Sequence, residues 1–522
     1  MGIPNANTSI GPVTGADLER FRLRHFMDAL HAQGDVDVVE NNVDLIEIAS
    51  KLDGNSKAVL FRSVGPEKAE LVGNVTASRD RLALAFDTSP EQLLPEVNKR
   101  LSAPIAPVEV PSTQAPVHQV VLTGAKADFT RLPVHLQHGD DGAPYISASI
   151  DITRSIDGVR RNVGYRRFML RGRQEAGIDL VAPSDLRVLY AEYVRRKERM
   201  PMAVVVGSHP VDGVAATMMS AVQDEVSLMG GLRGSAVPLV RCATIDAMVP
   251  ADAEIVLEGY LDERGWVEPE GPYGEYMGYY GHLKTNPVFH LTAITMRRDA
   301  LFQTVTIGGR SLASTDTAQL AALRTEVAAW SALQTGVRDL VAVCCTPSCG
   351  GTYNLRVSMR QRYPGEARNA IASVFGSSAD VKHVFVVDDD IDVFSDRQID
   401  WALATRFQAD RDLMIASGFR AVPLDPSLEG RRSGAKAGFD LTLPFGWQNG
   451  RKYEVPMPPE LGPARGMSVL DALRQGPQSF RDLMEATGSR DGREVLVALD
   501  AVRFEAGVER TGEGLYRLPA TP

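Results

Sequence analysis

The amino-acid sequence predicts an α+β protein of several domains, in which a β-rich middle domain lies between two α/β domains and a small helical appendage follows. The first reason is length, because 522 residues exceed the roughly 250–300 residues that one core usually holds. The second is a series of short apolar runs, separated by glycine and proline, between residues 118 and 310. The third is the alternation of Ala- and Leu-rich segments with apolar runs after residue 315, which is typical of α/β domains.

The N-terminal α/β domain is predicted to cover residues 1–115. It contains an amphipathic helix over residues 15–33, in which Phe21 and Phe26 belong to an apolar stripe at helical spacing. The run of residues 103–116 is rich in proline, and proline disfavours both helix interiors and central strands. We therefore expect a connector at the end of this domain.

The middle domain is predicted over residues 116–315 and the C-terminal α/β domain over residues 316–465. Strand-like runs such as residues 145–152 and 254–260 are punctuated by turns in the middle domain, and this pattern favours a barrel. In the next domain, the Ala- and Leu-rich segment 317–335 predicts a helix that precedes further strands.

The appendage over residues 466–522 is predicted to resemble a winged helix, because three helical stretches precede a hairpin around Gly512 and Gly514. DNA binding is one hypothesis for such a fold. However, residues 467–522 contain seven arginines, no lysine and nine acidic residues. A net charge of about −2 disfavours contact with phosphates, so we interpret the appendage as a structural or oligomerisation element.

Charge and hydropathy narrow the functional class. The net charge of −10 disfavours a general nucleic-acid binder, which needs a basic surface. No window approaches the roughly 18 apolar residues that span a bilayer, and the N-terminus lacks the pattern of a signal peptide. We therefore expect a cytoplasmic enzyme with no nucleic-acid or membrane partner.

The segment Glu270-Gly-Pro-Tyr-Gly-Glu275 is the first candidate for chemistry. Pro272 fixes φ and the two glycines permit conformations closed to other residues, so the two carboxylates should come close together among several tyrosines. Like charges in such a setting raise the pKa of at least one carboxyl group, and a protonated carboxyl can act as a general acid. A solvated turn with two exposed glutamates is the alternative interpretation.

The second candidate is the segment Arg160-Arg-Asn-Val-Gly-Tyr-Arg-Arg-Phe, which has four arginines within eight residues. Guanidinium groups bind carboxylates or phosphates through paired hydrogen bonds. In a strand, Tyr165 and Arg167 would share one face and Arg166 would lie on the other. A basic, solvated hairpin is the alternative here.

Together the two segments resemble the UbiD family of reversible decarboxylases. The pattern is Asn-x-x-x-x-Arg followed about a hundred residues later by Glu-Gly-Pro-aromatic-Gly-Glu, and other segments across residues 15–450 occur in the family's order. Examples are Asp17-Leu-Glu-Arg-Phe, Val249-Pro-Ala-Asp-Ala-Glu and Asp388-Asp-Asp-Ile-Asp. The appendage lies outside the resemblance.

The resemblance implies a central flavin-reductase-like split β-barrel and a prenylated FMN cofactor, which a separate flavin prenyltransferase supplies. It also implies that Arg167 binds the substrate carboxylate, that Glu270 holds Arg167, and that Glu275 protonates the carbon from which CO2 has left. The function expected is reversible, non-oxidative decarboxylation of an aromatic or heteroaromatic acid. Family members commonly assemble as homodimers or hexamers.

The cofactor site is expected to deviate from the family pattern. The cofactor-binding residues implied by the resemblance are Asn162, Tyr165, Arg167, Ser147, Ser184 and Asp185. The family holds the cofactor phosphate through Mn²⁺ or Mg²⁺, with K⁺ as a further ion, and its metal ligands are Asn, His and Glu. Asn162 matches the first, but Asp185 and Ser235 appear at the other two positions; Asp is an acceptable oxygen ligand, whereas Ser is weak.

This deviation motivates the alternative hypothesis of a non-catalytic or accessory relative that has lost normal cofactor binding. The complete set of Arg167, Glu270 and Glu275 argues against it. We therefore predict a carboxy-lyase, with Asn162 and Asp185 as the remaining metal ligands.

Overall fold

The computed structural model describes residues 17–218, 224–378, 380–446 and 458–520. The contacts divide the chain into two units, Met1–Leu443 and Pro444–Pro522. Within the described residues, no helix has both the length and the apolar character required to cross a membrane.

The first part of the larger unit contains four helices and three strands. They are α1 (Leu23–Ala32), β1 (Val36–Val39), α2 (Ile48–Leu52), β2 (Ala58–Val64), β3 (Ala69–Gly73), α3 (Arg79–Ala85) and α4 (Leu93–Leu101). The helix predicted over residues 15–33 begins only at Leu23, because residues 18–21 form bends and turns.

The middle part is rich in strands. Its elements are β4 (Val108–Glu109), β5 (Val120–Thr123), β6 (Tyr145–Arg154), β7 (Arg161–Leu170), β8 (Glu175–Ile178), α5 (Asp185–Arg196), β9 (Met200–Val206), α6 (Pro210–Thr217), α7 (Glu225–Arg233), β10 (Pro238–Arg241), β11 (Met248–Pro250), β12 (Ile255–Leu261), β13 (Glu268–Glu270), β14 (Tyr273–Gly274), β15 (Tyr280–Gly281), β16 (Lys284–Asn286), β17 (Val288–Met296) and β18 (Phe302–Gln303).

Six of these strands close into a barrel in the order β12-β9-β6-β7-β8-β17, and β12 pairs with both β9 and β17. Side chains along β9 alternate between two apolar clusters, one on each face of the barrel sheet. Met202 and Val204 join a cluster that draws residues from all six strands, whereas Ala203 and Val205 pack on the other side with residues of α6 and α7. Successive side chains of a strand point to opposite faces, so the barrel has an apolar interior and a helical cover. The predicted β-rich middle domain is therefore confirmed as a closed barrel.

An α/β domain follows the barrel. Its elements are α8 (Asp316–Leu333), β19 (Leu340–Cys345), β20 (Asn354–Met359), α9 (Glu366–Ser377), β21 (His383–Val387), α10 (Asp396–Arg406), β22 (Leu413–Arg420) and β23 (Ser433–Asp440). The five strands form one mixed sheet in the order β19-β20-β21-β23-β22. The first domain has its own sheet, β1-β2-β3-β18, which is completed by a strand that comes after the barrel.

The smaller unit has its own apolar core. Its described elements are α11 (Val469–Arg474), α12 (Phe480–Thr487), α13 (Gly492–Ala506), β24 (Glu509–Arg510) and β25 (Tyr516–Arg517). Three helices before a hairpin follow the predicted order. Assignment to the winged-helix fold, and the domain boundaries at residues 115, 315 and 465, stay predictions.

A buried ion cluster fixes helices α6 and α7 against the barrel. Arg233 of α7 lies 2.5 Å from a carboxylate oxygen of Asp212 on α6 and 2.6 Å from one of Asp252, and all three side chains are almost fully buried. Each carboxylate needs the guanidinium, because an unpaired buried charge is strongly unfavourable. The cluster therefore orients α7, whose first turn reaches β7.

Arg233→Met should destabilise the protein by about 3–5 kcal/mol, because it leaves two buried carboxylates without their cation. The matched control is Arg241→Met, which removes an exposed pair with Glu109 and should cost less than about 1 kcal/mol. Thermal unfolding of the two variants measures the difference. Equal unfolding midpoints would contradict a structural role for the buried cluster.

Candidate active site

Strand β7 carries residues of both predicted sites: Asn162 of the predicted metal site and Arg167 of the predicted substrate site. Asn162 and Arg167 are five residues apart, which corresponds to about 17 Å in an extended strand. Strand β8 pairs only with Phe168–Leu170 on one edge of β7, and the start of α7 approaches the other end of the strand through a bridge between Arg161 and Asp224. One strand therefore presents two separate polar clusters.

The structure brings Arg167, Glu270 and Glu275 together, as the sequence predicted. Arg167 Nε donates a hydrogen bond to Glu270 Oε1 at 3.0 Å, and Nη1 donates to Glu275 Oε2 at 3.3 Å. Both carboxylates are nearly inaccessible, with side-chain exposures of 1% and 5%. The guanidinium lies between two like charges that repulsion would otherwise keep apart.

Three further residues complete this cluster. Asp179, Lys284 and Asn286 connect the two glutamates: Lys284 Nζ lies 3.2 Å from both Asp179 Oδ2 and Glu275 Oε1. Asn286 Nδ2 donates to Glu270 Oε2 at 3.2 Å, and Asp179 Oδ2 also lies 3.0 Å from Arg167 Nη2. The result is a closed ring of ion pairs and hydrogen bonds with two cations and three carboxylates.

Sequence alone does not reveal the roles of Lys284 and Asn286, because strand register decides their position. Antiparallel pairing of β13 with β16 places Lys284 opposite Glu270 and Asn286 opposite Glu268. Lys284 and Asn286 therefore share a face of β16. Their spacing of two residues was the available signal, but it acquires meaning only when the partner strand is known.

The turn between the glutamates is held from one side by residues 138–142. Gly142 N donates to the carbonyl of Pro272 and Gly274 N donates to Asp141 Oδ1, both at 2.8 Å. Gly271 has φ of +100°, a conformation that L side chains rarely adopt. The predicted tight turn is present, and backbone contacts fix it.

Of the tyrosines at positions 273, 276, 279 and 280 in and after the turn, Tyr273 stacks directly on the ion ring. Arg167 stacks over Tyr273 with 4.3 Å between the guanidinium carbon and the ring centroid, and burial raises the pKa of the Tyr273 hydroxyl well above its ordinary value. In contrast, Tyr279 is 60% exposed and Tyr280 is 44% exposed. The carboxylates are therefore enclosed by an ion network and by the Tyr273 ring, which packs 4.3 Å from the buried ring of Tyr145.

Ser147 is connected to the Tyr273 ring through hydrogen bonds. Tyr273 donates its hydroxyl hydrogen to Gln137 Oε1 at 2.7 Å, and Gln137 Nε2 donates to Ser147 Oγ at 2.6 Å. Ser147 Oγ also accepts a hydrogen bond from the backbone N–H of Val305 at 3.1 Å. The structure thus links this predicted cofactor-binding residue to the site through Gln137.

Charge compensation keeps Arg167 ionised. Burial alone would lower its pKa, but Glu275, Asp179 and Glu270 together raise that pKa well above its ordinary value. The arginine is therefore a permanent cation that can hold a carboxylate in a site shielded from water.

The other end of β7 contains a carboxylate that the sequence analysis did not identify. Glu225 Oε2 accepts hydrogen bonds from Asn162 Nδ2 at 2.8 Å and from Val163 N at 2.6 Å. Burial, together with nearby Asp185, raises the pKa of Glu225 to about 7, although the two hydrogen bonds oppose this change. Asn162 Oδ1 is buried and has no hydrogen-bond partner among the described residues.

The predicted position at Ser235 needs correction. Ser235 lies just beyond the C-terminal end of α7, where its N–H donates to Gly230 O, whereas Glu225 occupies the first turn of the same helix. The carboxylate next to Asn162 is therefore Glu225. Sequence spacing could not reveal this, because the contact depends on how α7 meets the strand.

The remaining predicted cofactor-binding residues lie at the start of α5 and on β7: they are Ser184, Asp185 and Tyr165. Ser184 caps α5 by accepting a hydrogen bond from Arg187 N, and Asp185 is the first residue of that helix. Asp185 lies 3.6 Å from Arg160. Tyr165 packs near α6, where a side-chain carbon at Gly213 would lie 3.5 Å from its ring.

The donor set at Asn162 fits a hard cation. An unpartnered amide oxygen and a buried carboxylate are the oxygen ligands that Mg²⁺ and Mn²⁺ prefer, and Asp185 adds negative charge nearby. The described residues contain no cluster of three or more His, Cys, Asp or Glu side chains with metal-binding geometry. A metal here would therefore need Asn162 and ligands from outside the protein beside the acids.

Comparison with known proteins places this geometry in a family. Profiles of the N-terminal, Rift-related and C-terminal domains of 3-octaprenyl-4-hydroxybenzoate carboxy-lyase match residues 27–101, 108–311 and 318–441. These three matches cover most of the larger unit and leave the appendage unmatched.

Individual relatives are similar over nearly their whole length. The anhydromevalonate phosphate decarboxylase of Methanosarcina mazei is 29% identical over 80% of this chain and 95% of its own. The UbiD-class enzyme HmfF of Pelotomaculum thermopropionicum, solved in complex with FMN, is 32% identical with a TM-score of 0.79 over 84% of this chain and 97% of its own. An evolved dimeric form of HmfF was solved with prenylated FMN. The 3,4-dihydroxybenzoic acid decarboxylase of Klebsiella pneumoniae is 25% identical with a TM-score of 0.78 over 84% of this chain and 98% of its own.

A closed barrel with α/β domains before and after it is thus the architecture of a class of carboxy-lyases. The chain belongs to the UbiD family of decarboxylases. The resemblance drawn from its motifs is confirmed, and so is its assignment as an enzyme.

Gly281→Ala should lower activity by about 10- to 100-fold, because small displacements of a catalytic group have effects of this size. A side-chain carbon at position 281 would lie 2.6 Å from Glu275 Oε1 and force the carboxylate away from Arg167. Gly172→Ala is the matched control, since nothing lies within 4 Å of its added carbon. Steady-state CO2 release measures both variants, and equal activities would contradict the importance of the Glu275 position.

Proposed function

We propose that the protein catalyses reversible, non-oxidative decarboxylation of an aromatic or heteroaromatic carboxylic acid with prenylated FMN as cofactor. The observation that supports this most directly is the buried arrangement of Arg167 between Glu270 and Glu275. A site for this reaction needs a fixed cation for the carboxylate and a nearby proton donor, and this cluster supplies both.

Asn162, Glu225 and Asp185 would hold the cofactor phosphate through Mn²⁺ or Mg²⁺, with K⁺ as a companion ion. Tyr165 and Ser184 are further residues that would hold the cofactor. When bound, prenylated FMN supplies the electron sink for carbon–carbon bond cleavage, which no side chain offers. The support from this structure is the unpartnered Asn162 Oδ1 beside a buried carboxylate.

Arg167 would bind the substrate carboxylate in the chemical step. Its guanidinium already contacts Glu270, Glu275 and Asp179, so an incoming carboxylate must displace one of them. Glu270 accepts two hydrogen bonds from the guanidinium, whereas Glu275 accepts one. Glu270 is also held by Asn286, so it would stay in place as the orienting partner. Glu275 would yield its place and then deliver a proton to the carbon that has lost CO2.

The charge of the ring favours a substrate whose only anionic group is the reacting carboxylate. Arg167 and Lys284 face three carboxylates, so the ring has a net charge of −1 before any substrate binds. A phosphate on the substrate, as the name of the Methanosarcina mazei relative implies for that enzyme, would add further negative charge close to this ring. A neutral aromatic remainder, as in 3,4-dihydroxybenzoic acid for the Klebsiella pneumoniae relative, avoids that cost.

A panel of acids tests this substrate class. Protein co-expressed with a flavin prenyltransferase would be offered cinnamate, 3,4-dihydroxybenzoate, furan-2-carboxylate, pyrrole-2-carboxylate and anhydromevalonate phosphate. CO2 release from one or more of the aromatic acids is expected. Turnover of anhydromevalonate phosphate alone would overturn the aromatic assignment and keep the decarboxylase. Light scattering of the same preparation tests the expected homodimer or hexamer.

One of the two observations that motivated the hypothesis of a non-catalytic relative, the serine at position 235, carries less weight. The hypothesis depended on Asp185 and Ser235 replacing two family ligands, but Glu225 provides a buried carboxylate at Asn162. Absorbance of the co-expressed protein decides between the hypotheses, because an accessory relative would bind no flavin.

Glu275→Gln should reduce turnover by at least about 100-fold, because the amide cannot donate the proton that general acid catalysis requires. Flavin absorbance should be unchanged, since Asn162 and Glu225, which are proposed to hold the cofactor phosphate, lie at the other end of β7 from Arg167. Glu268→Gln is the control, as this half-buried side chain pairs only with Arg264 at 3.5 Å. Full activity of Glu275→Gln would remove Glu275 from the mechanism.

Glu225→Ala should lower the metal content of the purified holo-protein together with its flavin content. Even the loss of a group that merely supports a metal ligand weakens metal binding by about 10- to 100-fold. Elemental analysis of the variant and the wild-type protein measures the effect. A wild-type enzyme that is active without metal would rule out the ion's necessity.

A further inference from the structure

If Glu275 protonates the product, as in the proposed function on which this inference rests, it must regain a proton after every turnover. Each turnover converts a carboxylate and one proton into the decarboxylated product and CO2. The proton must come from solvent, yet the side chain of Glu275 is only 5% exposed. Gly281 covers the carboxylate so closely that a side-chain carbon there would lie 2.6 Å from Oε1. The used proton must therefore be replaced through a neighbouring group.

Two side chains contact the Glu275 carboxylate among the residues that the structure describes: Arg167 and Lys284. Arg167 cannot release a proton, because guanidinium groups stay protonated in proteins and its three acidic neighbours raise its pKa further. Lys284 differs in both respects. A lysine ammonium can lose a proton, and the Lys284 side chain is 23% exposed.

We propose that Lys284 is the positioning residue through which Glu275 is reprotonated from solvent. The Lys284 ammonium lies 3.2 Å from Glu275 Oε1. It transfers a proton to the carboxylate, which gives a neutral amine and a carboxylic acid. Water or buffer acid then returns a proton to the amine. Glu275 passes its proton to the substrate carbon and becomes a carboxylate again, so charge and protons balance in each cycle.

Asp179 fits this role as the group that keeps Lys284 in place. Its Oδ2 lies 3.2 Å from Lys284 Nζ. Burial would raise the pKa of Asp179, but Arg167 and Lys284 lower it, so Asp179 stays ionised. A fixed anion beside the lysine holds the amine within reach of Glu275 while it waits for its proton.

A purely electrostatic role is the alternative, in which Lys284 only neutralises Glu275. The two roles predict different behaviour for Lys284→Arg. Arginine keeps the positive charge and hydrogen-bond donors but cannot give up a proton. It should therefore rescue an electrostatic role and fail to rescue a proton relay.

The experiment compares Lys284→Met, Lys284→Arg and the control Lys99→Met, which alters an exposed side chain that pairs with Glu96. Each is produced with flavin prenyltransferase and assayed with the four aromatic acids named above. Both Lys284 variants should lose about 100-fold in kcat, a typical contribution of general acid–base catalysis. Their KM should change less than about threefold, because Arg167 still binds the carboxylate. Flavin absorbance shows whether each variant is folded.

Rescue of Lys284→Ala by added small cations provides the second measurement. Methylammonium should restore turnover in a concentration-dependent manner, whereas guanidinium should not. Wild-type activity of Lys284→Arg, or equal rescue by guanidinium, would overturn the relay while decarboxylation by the wild-type enzyme stands. A wild-type holoenzyme that releases CO2 from none of the panel acids would instead overturn the proposed function, and the relay with it.

Discussion

The ion pairing of Arg167 constrains the rest of the site. A buried guanidinium is tolerated only with anionic partners, and here Glu270, Glu275 and Asp179 provide them. Those partners come from three places in the chain: Asp179 directly follows β8, Glu270 ends β13, and Glu275 directly follows β14. The fold brings all three to Arg167. The stacked Tyr273, the hydrogen bond from Gly274 N to Asp141 and the hydrogen bond from Gly142 N to the Pro272 carbonyl then keep the turn from opening.

The proposed cofactor-binding end of β7 depends on a different set of contacts. Asn162 lies at the far end of β7, where α7 contributes Glu225. The orientation of α7 depends in turn on the buried pairing of Arg233 with Asp212 and Asp252. One strand thus joins a permanently charged end, suited to a substrate carboxylate, with an oxygen-rich end, suited to a cation and a phosphate.

Much of this could be predicted from the sequence, because some features are local. Two short motifs are recognisable without a structure. Asn162 and Arg167 are five positions apart on one strand, and Glu270 and Glu275 stand at the two ends of a Gly-Pro turn. Lys284 and Asn286 were missed because their roles depend on the register of β13 and β16. Asp179 was missed because only the folded chain brings the residue after β8 to Arg167. Glu225 was missed because a helix–strand contact places it. The tyrosines were over-interpreted, since nearness in sequence does not determine which rings are buried.

We propose that a substrate carboxylate takes the place of Glu275 on Arg167, and a crystal structure of the holoenzyme with a bound, unreactive carboxylic acid tests this exchange. Two oxygens of that acid should lie on the Arg167 guanidinium, with Glu270 unmoved and Glu275 released from Arg167 but still in contact with Lys284. A carboxylate bound elsewhere, with the Arg167–Glu275 contact intact, would contradict it.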